Sequence, residues 1–142
     1  MGAADNGIDI APAGHFRHML NGINQSGMAA AKNQHKPFSG LQHQRLLLEY
    51  DTERAGSFEP LRFVPKGKIA VLGLITTKVG RVESVDELRR RVDEAAHYLP
   101  LEQLAISPQC GFASSLRGNL LSEDEQFRKL EVMLEVARKV WN

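Results

Sequence analysis

Short apolar runs alternate with amphipathic stretches from about residue 45 to the end of the chain. The run at 46–50 (LLLEY) passes into a polar stretch, and the run at 69–75 is apolar at both alternating positions. An apolar run without alternation is typical of a strand that is covered on both faces, as in a parallel sheet. A third short run lies at 104–107. The pattern therefore predicts three buried strands.

Two capping boxes predict where the helices begin. Ser84 and Ser122 are each followed three residues later by a glutamate, Glu87 and Glu125. A hydroxyl and a carboxylate at this spacing satisfy the free amides of a first helical turn. The first helix is expected to stop before Pro100, and its apolar positions are Leu88, Val92, Ala95 and Leu99. The apolar face of the second helix is expected to contain Phe127, Leu130, Leu134, Ala137 and Trp141, with Met133 also in the core.

The order of these elements is strand, strand, helix, strand, helix. Short strands that alternate with amphipathic helices favour an α/β fold of parallel βα units, and both a (β/α)8 barrel and a doubly wound sheet contain such units. A whole barrel needs about 250 residues, so a chain of 142 residues would supply at most about half of one. Residues 1–44 show no sustained period. We therefore expect residues 1–44 to be poorly defined and residues 45–142 to form the ordered domain.

Charge and composition exclude several kinds of partner. The formal net charge is +1, and acidic and basic residues are interspersed, so no basic stripe offers a surface for nucleic acid. No run reaches the roughly 18 apolar residues of a membrane span, and the first residues lack the pattern of a signal peptide. The one cysteine, Cys110, cannot form an internal disulfide and fits a reducing compartment. We therefore expect a cytoplasmic protein.

Two residues that can bind metals fall at the ends of predicted strands. Glu49 closes the first strand, and Cys110 follows the third. Functional sites of parallel α/β folds gather at the carboxyl ends of the strands. Other interpretations stay open at this point, because Glu49 could pair with Arg54 or Arg62 and Cys110 could be a buried small hydrophobic residue.

Several motifs in the last two thirds of the chain are similar to those of one known family. They are LEYD at 48–51, ERAGSFEPL at 53–61, VLGLITTK at 71–78 and, above all, SPQCGF at 107–112. With these motifs, the segment from residue 46 to the C-terminus resembles the closing part of the cobalamin-independent methionine synthases and their shorter single-barrel relatives. The resemblance implies a (β/α)8 TIM barrel, of which this chain would hold the C-terminal βα units.

The resemblance also implies zinc as a cofactor. Enzymes of the family hold a catalytic zinc with a histidine and a cysteine two residues apart on one strand, a glutamate on the next strand, and a cysteine in a Pro-x-Cys-Gly turn. Glu49 and Cys110 match the last two positions. In the nearest match to the first two, at 18–24, His18 stands at the histidine position and Leu20 stands where the family has cysteine. The implied metal ligands are therefore His18, Glu49 and Cys110.

The implied chemistry is methyl transfer to a thiol. A free thiol is mostly protonated at neutral pH, whereas the thiolate is the nucleophile, and Zn²⁺ stabilises a thiolate. By resemblance the partners are a thiol substrate, homocysteine or a related compound, and a methyl-folate donor, in the biosynthesis of methionine. An open part-barrel would leave apolar strand faces and edges uncovered. We therefore expect self-association or a requirement for the missing N-terminal half.

Three hypotheses about function follow. The first is a zinc-dependent methyltransferase module that acts when it is completed by another chain or a longer gene product. The second is a truncated, catalytically inactive relative that keeps only the packing of the part-barrel. The third is a small α/β binding module in which the turn at Cys110 forms an anion-binding nest. A measurement of bound metal separates the first two hypotheses.

Overall fold

The computed structural model describes residues 43–112 and 118–142. Its strands form one sheet in the order β1-β2-β3 and are β1 (Arg45–Glu49), β2 (Ile69–Ile75) and β3 (Leu104–Pro108). Two α-helices follow the second and third strands, α1 (Val85–Ala96) and α2 (Glu123–Trp141). Short 3-10 helices lie at Glu53–Ala55, Glu59–Phe63 and Leu101–Gln103. No helix within these described ranges is long and apolar enough to cross a membrane.

Both pairs of neighbouring strands are parallel, as the apolar runs predicted. The pairs across β1 and β2 run from Arg45 with Ile69 to Glu49 with Gly73. Strand β2 then pairs with β3 in the same direction. All three strands therefore end at the same edge of the sheet.

One face of the sheet packs against the helices. Side chains alternate between the two faces of a strand, and those on the helix-facing side of β1 and β2 are buried in one core with residues of α1 and α2. This core includes Leu46, Leu48, Ala70, Leu72, Leu74, Leu88, Val92, Ala95 and Val136.

The opposite face of the sheet has no helix against it in the part of the chain that the structure describes. Leu47, Val71 and Ala105 lie there in one row and are only half-buried. A doubly wound sheet is covered by helices on both faces, whereas the inner face of a barrel wall lines the barrel interior. The arrangement is therefore that of consecutive βα units of a barrel wall.

Helix α1 begins where its sequence predicts. The Ser84 hydroxyl accepts a hydrogen bond from the Glu87 amide at 3.1 Å. The Glu87 carboxylate, however, receives two hydrogen bonds from the Arg81 guanidinium, at 3.0 and 3.1 Å, instead of capping the Ser84 amide. The helix ends at Ala96, before Pro100. The four predicted apolar positions Leu88, Val92, Ala95 and Leu99 are buried.

Helix α2 begins with a complete capping box. The Ser122 hydroxyl accepts from the Glu125 amide, and the Glu125 carboxylate accepts from the Ser122 amide at 2.8 Å. This prediction is confirmed by both halves of the box.

The predicted apolar face of α2 was only partly right: Leu130 and Ala137 are half-buried, as expected of its edge, but two of its residues are exposed. Phe127 and Leu134 are 60% and 49% exposed, whereas Val136 and Lys129 face the core. Because successive residues of an α-helix are about 100° apart, the face around Val136 is turned by roughly 120–140° from the one that was predicted. The residues of α2 that pack against the core are Val132, Met133, Val140 and Trp141, so Met133 and Trp141 were placed correctly. The prediction failed in part because a pattern of apolar positions gives no signal for the fully buried Lys129.

Candidate functional site

The carboxyl ends of the strands bring residues of all three strands into one row. Glu49 pairs with Gly73, and Gly73 pairs with Ser107, so the three residues lie side by side across the sheet. They lie on the face away from the helices, because side chains alternate along each strand. In a barrel this face lines the interior, where the parallel strands end.

The turn after β3 continues along the end of β2. The Gln109 amide donates to the Ile75 carbonyl at 2.9 Å. Gly111 has a φ of 82°, a left-handed conformation that glycine adopts at no steric cost, so it can turn the backbone directly after Cys110. Cys110 is exposed. The interpretation of Cys110 as a buried hydrophobic residue is therefore wrong.

A small pocket joins Glu49 to Cys110. The residues that line it are Leu47, Leu48, Glu49, Gly73, Ser107, Gln109 and Cys110. Gly73 leaves the space open, because a Cβ there would lie 3.2 Å from the Gln109 Cα and 3.3 Å from the Leu48 carbonyl oxygen. Glu49 and Cys110 therefore line the same small cavity.

An ammonium group lies beside Glu49. The Lys78 Nζ is 3.3 Å from Glu49 Oε1 and 3.7 Å from Asp51 Oδ2. The Asp51 side chain is fully buried, and neither of its oxygens accepts a hydrogen bond from a described residue. The ion-pair partner of Glu49 is thus Lys78, and not Arg54 or Arg62 as the alternative interpretation had it.

Local electrostatics favour the protonated form of the Cys110 thiol. Partial desolvation by the surrounding residues raises the pKa of this thiol, the negative charges of Glu49 and Asp51 raise it further, and the Lys78 ammonium lowers it. A thiol with a raised pKa is a weak metal ligand and nucleophile at neutral pH unless a cation stabilises its thiolate. Cys110 therefore needs a bound cation to act as a thiolate.

The donor set of the pocket fits part of a zinc site. A carboxylate oxygen and a thiolate sulfur are both ordinary zinc ligands, and the Glu49 carboxylate already attracts the Lys78 ammonium. Within residues 43–112 and 118–142, no group of three or more His, Cys, Asp or Glu side chains could hold a metal ion. His18 and Leu20 belong to residues 1–42, which lie outside the described ranges. The described residues thus offer two donors.

Sequence reasoning did not assign a role to Asp51, Gly73 or Lys78. Each of these positions had a signal in the sequence that could have identified it. Asp51 comes two residues after Glu49, and Lys78 ends the Thr-Thr-Lys stretch that follows β2. Both positions follow strand ends, where sites of parallel folds gather. Gly73 interrupts an apolar strand, which is typical of a close approach by another backbone segment.

Comparison with known proteins identifies relatives. A family model described as the cobalamin-independent synthase, catalytic domain, matches residues 47–139. The uncharacterized proteins YxjG and YxjH of Bacillus subtilis (strain 168) are each 50% identical to this chain, over 105 and 103 residues. These matches cover 73% and 72% of this chain but 28% and 27% of the relatives. The chain therefore spans less than a third of the length of the curated relatives that it matches.

Solved structures share the fold. A protein of Listeria monocytogenes assigned as a vitamin-B12-independent methionine synthase has a TM-score of 0.55 and 31% identity, and the match covers 75% of this chain and 30% of that one. A B12-independent methionine synthase from Shewanella sp. W3-18-1, solved in complex with selenomethionine, has a TM-score of 0.56 at 20% identity, over 69% and 27% of the two chains. The second likeness supports the fold alone. With part of a (β/α)8 barrel and a family match over residues 47–139, the chain belongs to the cobalamin-independent synthase catalytic-domain family.

Proposed function

We propose that the chain supplies part of the active site of a zinc-dependent thiol methyltransferase. Glu49 and Cys110 would be two of the metal ligands, and His18 would be a third. The observation that carries the proposal is the shared pocket at the carboxyl edge of the parallel strands, which Glu49 and Cys110 both line. Membership of the family supports it, because the sequence resemblance implied the same two residues.

Zinc, when bound, would lower the pKa of a thiol substrate so that its thiolate forms at neutral pH. The chain's own residues would prepare that reaction. Glu49 and Cys110 would hold the metal through oxygen and sulfur, the missing side chain at Gly73 would leave room beside them, and Lys78 would balance the charges of the carboxylates. The substrate thiol would lose its proton to solvent, and its sulfur would form a bond to the methyl carbon as the bond from that carbon to the donor breaks. The donor would keep the electron pair of the broken bond and take up one proton. By family resemblance the thiol is homocysteine or a related compound, and the donor is a methyl-folate.

The other groups of such an active site would come from outside the described residues. The chain covers 28% of YxjG, so most of the βα units of such a relative have no counterpart in it. We propose that the domain of residues 45–142 acts together with further βα units, carried by a longer polypeptide or by another chain. A thiol ligand suits the reducing cytoplasm, where we place the protein.

A catalytically inactive relative is the second candidate. It is favoured by Leu20, which stands where the family has a cysteine ligand. The third hypothesis, an anion-binding turn at Cys110, is disfavoured by charge. Glu49 and Asp51 lie close enough to raise the pKa of the Cys110 thiol, and the same negative charges would repel an anion.

Metal binding tests the proposal directly. The purified chain would be titrated with Zn²⁺ against a chelator of known affinity, and with Co²⁺ to detect the sulfur-to-metal charge-transfer absorption of a thiolate ligand. We expect one ion per chain. Cys110→Ser should remove the thiolate absorption. Glu49→Gln should weaken zinc binding by at least about tenfold, because a change in a residue that only contacts a metal ligand already costs about that much, and Glu49 would be a ligand itself.

Glu59→Gln is the matched control, because the Glu59 carboxylate pairs with Arg62 at 2.7 Å and does not line the pocket. It should bind zinc as the unchanged chain does. Absence of zinc binding, or binding that is the same in all three variants, would support the inactive relative instead.

A further inference from the structure

A buried ion pair lies behind the loop that carries Lys78. This loop, residues 76–84, joins β2 to α1 and is called the 76–84 loop below. Near its end the Glu83 carboxylate accepts a hydrogen bond from the Lys129 ammonium of α2 at 2.9 Å. The Lys129 side chain is fully buried, and that of Glu83 is 4% exposed. Such burial is unusual for charged residues, which are rarely buried unless they are paired.

The pair connects both ends of the loop to helix α2. One carboxylate oxygen of Glu83 accepts from the Thr76 amide at 3.0 Å, where the loop begins, and the other binds Lys129. The Lys129 ammonium also donates to the Arg81 carbonyl. Two charged side chains thus satisfy backbone groups at the start and near the end of the same loop.

A second contact between this loop and α2 lies one helical turn earlier. Gly80 packs so closely against Glu125 of the capping box that a Cβ on Gly80 would overlap the Glu125 carboxylate. Glu125 and Lys129 are four residues apart and therefore lie on the same side of α2. The first turns of α2 hold the 76–84 loop at two points.

We propose that Glu83 and Lys129 are positioning residues, which hold the 76–84 loop so that the Lys78 ammonium stays against Glu49 and Asp51. Stability alone is a weak explanation for the pair, because well-packed apolar residues are often as stabilising as a buried ion pair. The pair instead fixes where the loop lies. Helix α2 also follows the turn that carries Cys110, so one helix anchors the loop with Lys78 and is joined to the turn with Cys110.

The proposal also predicts the direction of a change in zinc affinity, and this prediction rests on the proposed function. The Lys78 ammonium occupies one oxygen of the Glu49 carboxylate and repels a second cation nearby. Lys78→Met should therefore tighten zinc binding, by roughly tenfold, the effect of one unit charge on a divalent ion about 6 Å away in a water-like medium. If the buried pair positions Lys78, then Lys129→Met should tighten zinc binding in the same way.

Two measurements on the full chain test the proposal. Hydrogen exchange of the amides in the 76–84 loop should be at least tenfold faster in Lys129→Met, with exchange in β1 unchanged. Zinc affinity should rise roughly tenfold in Lys78→Met and in Lys129→Met, with no further rise in the double variant, because both changes act through Lys78. Lys139→Met is the matched control, since Lys139 forms an exposed ion pair with Glu135 on the same helix at 2.6 Å.

Glu83→Gln serves as a second variant in case Lys129→Met does not fold, because a glutamine can still accept from the Thr76 amide. It should give a smaller increase in loop exchange. Unchanged hydrogen exchange of the loop amides in folded variants would overturn the proposal. Equal acceleration of exchange at all amides would do so too, and so would additive effects of Lys78→Met and Lys129→Met on zinc affinity. If no variant binds zinc, the proposed function fails, and hydrogen exchange alone decides whether Glu83 and Lys129 position the loop.

Discussion

Gly73 of β2 faces Gln109, the first residue after β3, so closely that a Cβ on Gly73 would lie 3.2 Å from the Gln109 Cα. The two atoms nearest to that Cβ, the Gln109 Cα and the Leu48 carbonyl oxygen, belong to the backbone and cannot move aside as the end of a side chain can. Gly73→Ala should therefore push the turn with Cys110 away from β2. We expect a loss of about 1–3 kcal/mol of unfolding free energy, typical of overpacking, and clearly weaker zinc binding. Urea denaturation and zinc titration measure the two effects.

Ala70→Gly separates these two effects. Ala70 is fully buried on the helix-facing side of the same strand, so its replacement removes a core methyl and weakens the strand without reaching the pocket. We expect lower stability with unchanged zinc affinity. If both variants lose zinc affinity in proportion to their stability, the specific role of Gly73 is refuted.

Tyr50 should make the fold sensitive to high pH. Burial raises the pKa of its phenol from 10.0 to about 12, against a smaller opposite effect of the Arg91 guanidinium. The unfolded chain then ionises at lower pH than the folded one. Stability is thus complete below about pH 10 and is lost as the pH rises towards 12, by about 2–3 kcal/mol for this group.

Tyr50→Phe should remove this part of the pH dependence. The Tyr50 hydroxyl is buried and has no hydrogen-bond partner among the described residues, so its loss should cost little stability at neutral pH. Tyr98→Phe is the control, because Tyr98 is 39% exposed. Urea denaturation between pH 9 and pH 12 compares the three proteins. Parallel pH profiles for all of them would contradict the assignment to Tyr50.

The strands and the helix starts could be predicted because their signals are local. An uninterrupted apolar run at 69–75 and a serine three residues before a glutamate are read from a few neighbouring positions. The inner face of α2 could not be predicted in this way. Lys129 is buried only because Glu83, 46 residues earlier in the chain, reaches it through the fold.

The candidate site also divides into parts that local sequence signals predict and parts that depend on the fold. Glu49 and Cys110 could be singled out because each lies at a strand end and matches a family motif, and the parallel strands bring them to one pocket. The ion pair of Lys78 with Glu49 and Asp51 depends on the path of the 76–84 loop, which periodicity does not encode. The incomplete capping box at Ser84 has the same origin. The Glu87 carboxylate pairs with Arg81, which lies in that loop, instead of with the Ser84 amide.

Ser84 should stabilise α1 by its hydroxyl alone. It accepts from the Glu87 amide, and the Glu87 carboxylate is occupied by Arg81. Ser84→Ala should therefore cost about 1 kcal/mol, and Ser84→Gly only a few tenths, as at other helix N-termini. Thermal denaturation measures both, with Ser57→Ala at an exposed loop position as the control. A larger loss in the glycine variant than in the alanine variant would argue against a capping role.

The exposed apolar side of α2 should drive self-association. Phe127 and Leu134 are seven residues apart, which places them on one side of the helix, and Leu120, just before α2, is 92% exposed. Exposed apolar side chains of this kind favour association, because burial removes them from water. We expect sedimentation velocity to show a mass that rises with protein concentration.

Phe127→Lys with Leu134→Glu should shift the chain towards monomer without loss of helix content, because both side chains lie outside the core. Arg128→Glu, a charge change at a neighbouring exposed position, should leave the association as it is. A chain that stays monomeric at high concentration would show that this side of α2 does not drive association.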